Sequence, residues 1–431
     1  MIGRIDPTRK SVTVVGAGVS GLLAAYTLKK KGYQVRILEQ STRSGGLIET
    51  KSSIHGPIET AAHSLMVNPE IEALMSELGV ELSEVNPKSR ARYIYRKGKM
   101  RKFPLTFFET IQTLIRIFSK PARPIDPETA TLAEWCRTYV GDAALKYLLA
   151  PFVTGVFAAS PDELLLSVAF PRLVPEHPEK SLIGNLFFKR KPANSAPSKR
   201  PRMMAPTRGM SDLIAKLKST LAPEIEYGKK LEALPDGLAS ALIPMDSNLV
   251  LSIPAPELAT LLNERDPLAA QALRAIEYSP LITCTVFIGS DSFTKHPPRG
   301  VGVLIPRGEG LRILGVLFNS SAFPDRTKDS ETHSYTVMLG GTSDPAVLTL
   351  SDLEIRDIIE SELKTLFGVR KPLQAIEITR WRKAIPVYSG QVRDARLALE
   401  HGLCEIPGLM VFTNYSKEVS IRGMILGLKD F

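Results

Sequence analysis

The sequence predicts a mixed α/β fold of more than one lobe, built on a parallel βαβ unit at the N-terminus that later insertions interrupt. Three observations predict it. A β-branched run, a glycine-rich turn and a helical segment follow one another between residues 12 and 32; residues 280 to 340 are rich in strand patterns; and helical spacing of apolar residues dominates around residue 110.

The first strand is VTVVG, residues 12–16, short and β-branched enough for a buried parallel strand, and LLAAYTLKKKG supplies the helix after it. Between them lies Gly16-Ala17-Gly18-Val19-Ser20-Gly21. Gly16 permits a tight turn, Gly18 lets backbone approach a pyrophosphate, and Gly21 lets helix and strand pack closely, while the helix N-terminus offers unpaired N–H groups to phosphate. Gly32 ends the helix, QVRIL is the second strand, and Glu39 closes it 18 residues beyond Gly21. An acid there accepts hydrogen bonds from ribose hydroxyls and opposes a 2′-phosphate, which points to a dinucleotide other than NADP. The bland alternative is a glycine-rich turn beside a surface glutamate.

After Glu39 the chain reads Gln-Ser-Thr-Arg43-Ser-Gly45-Gly46. This resembles the E-x(3)-R-x-G-G extension of the amine-oxidase and protoporphyrinogen-oxidase superfamily of flavoproteins, and the resemblance implies FAD rather than NAD. Its physical sense is a cation and a permissive backbone beside the same pyrophosphate.

Further along, residues 70–80 read as a short helix ending at Gly79, and YIYRKGKMRKFP (93–104) as two strands around a turn at Gly98. From Phe107 onward, Phe108, Ile111, Leu114, Ile115 and Phe118 fall on one helical face, opposite Glu109, Thr110, Gln112, Thr113 and Arg116. Arg96, Lys97, Lys99, Arg101 and Lys102 precede this helix, and Lys120 and Arg123 follow it. Two readings stay open here: a helix lying on an anionic bilayer surface, or one packed on the core with solvated basic ends. The basic run Lys189-Arg190-Lys191 with Lys199, Arg200 and Arg202 sits among Pro, Ser and Ala and reads as loop. A helix from Ser211 to about Thr220, a strand near Ile225, and a buried strand Asn248–Ala255 ending in a turn come next. LITCTVFIG, GVGVLIP, LRILGVLF and YTVMLGG are strands, residues 351–367 a helix, and 374–382 a strand again.

Composition narrows the function classes. Hydrophobic residues at 44% and charged residues at 23% indicate an ordinary globular chain. Cys136, Cys284 and Cys404 are far apart, with no CxxC pair and no histidine cluster, so neither a disulfide framework nor structural zinc is expected. MIGRIDPTRK lacks the apolar core of a secretory signal, and no stretch reaches the roughly 20 apolar residues of a spanning helix. A cytoplasmic protein is expected, with peripheral attachment to the inner face of a membrane as an option. The net charge of +10 favours an anionic contact, whether phosphate, lipid or a carboxylate-bearing substrate. Nucleic acid is not an expected partner, and the oligomeric state stays open, a homodimer included.

The resemblance extends along almost the whole chain. ALKYLLAPFVTGVFAASPDELLLSVAFPRL (144–173) is similar to the helical segment of protoporphyrinogen oxidases, and PTRGM, LVLSIPAPEL, GVLFNSSAFPDR, VMLGG and RWRKAIPVY follow in the family's order. It implies an FAD-binding domain made of residues 10–66, 204–265 and 396–431, a mixed-sheet substrate domain of 67–92 and 266–395, and a helical insertion, 93–203, that in relatives contacts membrane. The implied chemistry removes six electrons from a protoporphyrinogen or coproporphyrinogen in three flavin-dependent steps, with dioxygen as the expected acceptor. Because the flavin carries the redox step, no catalytic side-chain set is expected. By the same resemblance Arg92 faces a substrate propionate, for which a guanidinium is well shaped. Phe152 and Gly155 line the macrocycle site, Trp381 touches the flavin, and the Leu231 backbone meets the adenine. A surface arginine, and an aromatic and a small residue at a helix end, are the alternative readings.

Two segments depart from the family pattern. Where relatives carry Gly-Pro beside the flavin ring, this chain has Ala61-Ala62-His63-Ser64 after Glu59 and Thr60, and each alanine adds a Cβ to a close approach. His63 either influences reactivity or is a satisfied polar residue. Near the C-terminus the family's glycine-rich segment facing the flavin is reduced to Glu418-Val419-Ser420-Ile421, with a carboxylate where reduced flavin would resist it. Three functions therefore remain open: a porphyrinogen oxidase, a flavoenzyme of the same superfamily acting on an amine or carotenoid precursor, and a homologue that binds FAD or a porphyrin without turnover.

Overall fold

The computed structural model describes residues 2–188, 200–234, 242–244, 246–403 and 406–431. Lys189, Arg190, Lys191, Lys199 and Cys404, singled out above, lie outside them.

Two sheets organise the chain. The first has six strands in the order Ile2–Gly3, Leu409–Val411, Ser247–Leu251, Ser11–Val15, Gln34–Glu39 and Ile225–Tyr227, all parallel except Ile2–Gly3. Its strands alternate between two buried faces. Val12, Val14 and Val250 pack with Leu22, Leu23 and Leu213, while Val15, Leu249 and Leu251 pack with Leu258 and Leu262. A parallel sheet covered on both faces needs the near-continuous apolar strands seen here. The helix Val19–Lys30 crosses between the two strands of the N-terminal βαβ unit.

The second sheet has seven strands, in the order Ala375–Pro386, Tyr278–Gly289, Thr332–Gly340, Gly315–Leu317, Gly302–Leu304, Arg92–Arg96 and Lys99–Arg101. Period-two alternation splits its side chains. Ile282, Cys284, Val286, Val303, Val316, Tyr335, Val337 and Leu339 form one buried face with Ile355, Ile359 and Leu363 of the helix Asp352–Phe367. That helix starts at a reciprocal Ser351–Glu354 capping box and stops at Gly368, whose φ of +70° closes it.

The structure corrects several sequence expectations. The buried strand near Asn248 ends at Leu251, and a helix Ala255–Leu262 replaces the turn. Arg202 is not in a loop: it opens the strand Arg202–Pro206 and pairs with Glu72 and Glu84. Four expected domain boundaries fall inside elements, at 66/67, 92/93, 203/204 and 395/396, the last within the helix Gly390–Leu403. The hairpin 92–101 therefore belongs to the seven-stranded sheet and not to a helical insertion, because Arg92, Tyr93 and Ile94 pair with Gly302, Val303 and Leu304.

Candidate active site

The glycine-rich turn is held from both sides. Gly16, at φ +100°, donates to the Leu38 carbonyl (2.8 Å), and a Cβ on Gly21 would overlap the Gly16 carbonyl. Glu39 is buried. One carboxylate oxygen accepts from Ala17 N–H (2.7 Å), the other from the Ser41 N–H (2.8 Å) and hydroxyl (2.7 Å). The segment Arg43–Gly46 folds back over the turn, since Gly45 N–H donates to the Ala17 carbonyl (2.8 Å) and Gly45 bridges Gly18. The exposed Arg43 closes that loop onto the Gly46 carbonyl (2.8 Å).

Among the described residues, a Cβ on Gly18 would meet no atom within 4 Å; the helix Val19–Lys30 starts without a side-chain cap and has no acid in its first turn. Its first N–H groups and positive dipole end are thus uncapped beside the open space at Gly18, which suits a phosphate. Ser20 reaches the Met424 sulfur (3.1 Å), bringing the C-terminal segment beside the turn. There Ser420 caps the helix Ile421–Gly427 by accepting from Gly423 N–H (3.0 Å), and Val419 and Ile421 flank it, half-buried. Glu418 is exposed, so its charge is hydrated. Leu231 is buried next to the end of the second strand, where Lys229 N–H donates to the Glu39 carbonyl (2.9 Å).

A second group of residues gathers on the open face of the seven-stranded sheet. Directly paired residues project to the same side of a sheet, so the register gives three rows. Arg92, Gly302, Leu317, Thr336 and Thr285 form the first; Ile94, Leu304, Gly315, Met338, Thr283 and Thr379 the second; Gly340, Leu281 and Trp381 the third. Leu281, Leu304, Leu317 and Met338 are only half-buried, so this face fronts a cleft instead of a core.

Two elements wall the cleft. Over the second row lies the helix Ala150–Phe157: a Cβ on Gly155 would come within 3.0 Å of Leu304 Cδ2, and Phe152, three residues earlier on the same side, is 50% exposed. A π-helical stretch, Leu145–Leu149, leads into it. Opposite, Thr60 anchors the segment Ala61-Ala62-His63-Ser64. Its carbonyl accepts from Trp381 Nε1 (2.8 Å) and from the Thr283 hydroxyl (3.1 Å), while its own hydroxyl donates to the Leu47 carbonyl (2.9 Å). Thr60 therefore ties the cleft to the loop that covers the glycine-rich turn. Arg92 is exposed and approaches Met203 Sδ at 3.8 Å.

Sequence reasoning did not anticipate Glu59 and Arg326 at the end of this cleft. A small cavity of about 20 Å³ there is lined by Glu59, His63, Met203, Leu317, Asn319 and Arg326 among others, with most of its wall apolar. Burial pushes the Glu59 carboxyl above its usual range, against hydrogen bonds from Met210 N–H and the Thr50 hydroxyl. Burial, and then the Arg326 charge, push the His63 imidazole down to about 4, so it is neutral near pH 7. Among the described residues no group of three or more His, Cys, Asp or Glu is placed to hold a metal ion.

The amphipathic helix Phe107–Phe118 has no buried residue, and Phe107, Phe108, Leu114, Ile115 and Phe118 are exposed. It is held at its start by Arg96, which donates to both Glu109 oxygens (2.7 Å each) and lies 3.7 Å from the centre of the Tyr147 ring. That guanidinium holds the Glu109 carboxyl down to about 2.

Comparison with known proteins adds the following. The model of the family described as flavin containing amine oxidoreductase matches residues 19–417. The chain is 29% identical to protoporphyrinogen oxidase 2, chloroplastic/mitochondrial, of Arabidopsis thaliana, over 96% of this chain and 91% of that one. It is 23% identical to coproporphyrinogen III oxidase of Bacillus subtilis, over 88% of each. Among solved structures, a protein of Exiguobacterium sp. 255-15 superposes with a TM-score of 0.76 at 20% identity, covering 99% of this chain and 98% of that one.

Proposed function

We propose, from the premise that the chain belongs to the flavin-containing amine oxidoreductase family, that it oxidises a porphyrinogen to the corresponding porphyrin. It is an FAD-dependent oxidase. The uncapped helix start, open above Gly18 and with no acid in its first helical turn, fits the FAD pyrophosphate. Gly16 to Gly21, Arg43, Gly45 and Gly46 would hold that group, Glu39 the ribose, and the Leu231 backbone the adenine. Thr60 to Ser64, Trp381 and Val419 to Ile421 would surround the ring system. When bound, FAD supplies the acceptor for hydride leaving a saturated bridging carbon of the macrocycle.

The remaining tasks fall to side chains of the cleft. Arg92 pairs with one propionate and sets the macrocycle's orientation. Leu304, Leu317, Met338 and Phe152 give it an apolar bed and exclude water. The observation that carries this reading is one half-buried apolar sheet face ending in an exposed arginine, the complement of an apolar disc with anionic arms. The similarity to proteins named for protoporphyrinogen and coproporphyrinogen supports it. Dioxygen is the acceptor in this reading. Its test is aerobic incubation with each porphyrinogen: porphyrin fluorescence must rise with three hydrogen peroxides formed per porphyrin, and a rate no better than that of heat-denatured protein rejects it.

We further propose that the helix Phe107–Phe118 rests on an anionic lipid surface. Its exposed phenylalanines, Leu114 and Ile115 would enter the acyl boundary while Lys97, Lys99, Arg101 and Lys102 meet headgroups. No helix among the described residues is long and apolar enough to cross a membrane.

A further inference from the structure

The cavity at the end of the cleft is lined by two residues whose buried nitrogens meet no hydrogen-bond partner among the described residues. Arg326 is 4% exposed and donates Nη2–H to the Pro206 carbonyl (2.9 Å), but no acceptor among the described residues reaches its Nη1. Glu59 at 3.7 Å and Asp325 at 3.9 Å balance its charge from beyond hydrogen-bonding distance. His63 Nε2 is also buried and unpartnered among these residues, and a neutral imidazole can carry its proton there. Each such orphan costs about 1–3 kcal/mol if left unmet, so two beside one cavity make it a place for water or for an anionic group.

The cavity adjoins Arg92. Met203, which Arg92 approaches, lines it, and so does Leu317, which stands in the same row as Arg92 across Gly302. Two strand spacings separate Arg92 from Leu317, about 10 Å. Two propionate arms on neighbouring pyrroles can span that distance. We propose that Arg326 Nη1 and His63 Nε2 form a second carboxylate subsite, which with Arg92 holds two adjacent propionates of the substrate. This rests on the porphyrinogen reading. Glu59, whose acidity burial already weakens, can take up a proton as the anion enters, so two carboxylates need not face each other ionised.

The test is equilibrium binding of mesoporphyrin and its dimethyl ester to the FAD-loaded protein, followed by porphyrin fluorescence. Wild type should prefer the diacid. The Arg92→Ala protein, in which the cavity is untouched, should still prefer it by about tenfold or more, as a charge-assisted hydrogen bond is worth. Adding Arg326→Met, or instead Ala322→Leu to narrow the cavity, should erase that residual preference, with retained yellow colour and thermal midpoint certifying the fold. Equal binding of diacid and diester by Arg92→Ala overturns the second subsite, and a preference that survives in either folded double variant overturns its assignment to the cavity. Wild type that binds neither porphyrin overturns the substrate reading itself.

Discussion

Replacing Arg92 by alanine should weaken porphyrinogen binding while leaving the fold intact. Arg92 begins the strand Arg92–Arg96, its side chain is exposed, and the contact it makes is a 3.8 Å approach to the Met203 sulfur. A surface change of this kind alters stability by no more than about 0.5 kcal/mol, and the strand pairing to Gly302–Leu304 runs through backbone. Against a carboxylate, the same guanidinium supplies a charge-assisted, two-pronged hydrogen bond worth about 1.5–3 kcal/mol. At about 1.4 kcal/mol per factor of ten, the half-saturating porphyrinogen concentration should rise roughly 10- to 100-fold. The assay is flavin reduction against porphyrinogen concentration, with the melting curve and the FAD content measured on the same sample. Arg92→Lys keeps the charge without the fork and should fall between the two. An unchanged half-saturating concentration in Arg92→Ala refutes the assignment, and a lowered melting point would show the loss to be structural.

Glu39→Ala removes the acceptor of the buried Ala17 N–H and the proposed ribose contact, so purified protein should carry less FAD per chain; an unchanged flavin-to-protein absorbance ratio counts against that role. His63 should make stability fall on acidification: its folded pKa, about 4, lies below the ordinary 6.5, so the unfolded chain binds the extra proton and stability drains away as pH drops from about 6.5 to 4. The loss should be of order 1–3 kcal/mol, and denaturant midpoints of His63→Gln should lack that slope. Glu109→Gln should loosen the amphipathic helix, because the Arg96 pairing that holds the carboxyl near 2 disappears; amide exchange across residues 106–118 should quicken about tenfold, and unchanged protection would contradict it. Phe107→Glu should cut co-sedimentation with phosphatidylserine vesicles, an attraction that should also fade with added salt; salt-independent binding, or binding unaffected by the substitution, argues against lipid contact.

How much of this was legible in the sequence depends on how local each feature is. Gly16, Gly18, Gly21 and Glu39 lie within one βαβ unit, where each residue answers a demand set by its immediate neighbours, and the turn reads directly. The amphipathic helix is equally local. The helix Gly390–Leu403 is local too, with Val392, Ala395, Leu399 and Leu403 at helical spacing. The cleft is different in kind. The alternation of Ile282, Cys284 and Val286 with Thr283 and Thr285 shows that the strand has two faces, but only pairing to strands more than two hundred residues away puts Arg92, Leu317 and Met338 on the same one. Arg326 closes the segment GVLFNSSAFPDR, but nothing local marks its burial beside Glu59 and His63, which comes from long-range packing. The domain boundaries drawn from sequence missed for the same reason: the hairpin 92–101 joins a sheet whose other strands lie almost entirely beyond residue 278.

The most direct test of the whole account is an anaerobic titration of the yellow protein with protoporphyrinogen and with coproporphyrinogen, recording flavin absorbance and porphyrin formation together. The account predicts that at least one of them reduces the flavin, with one porphyrin formed for every three flavins bleached. A flavin that stays oxidised in the presence of both, or a protein that binds no FAD at all, would contradict it.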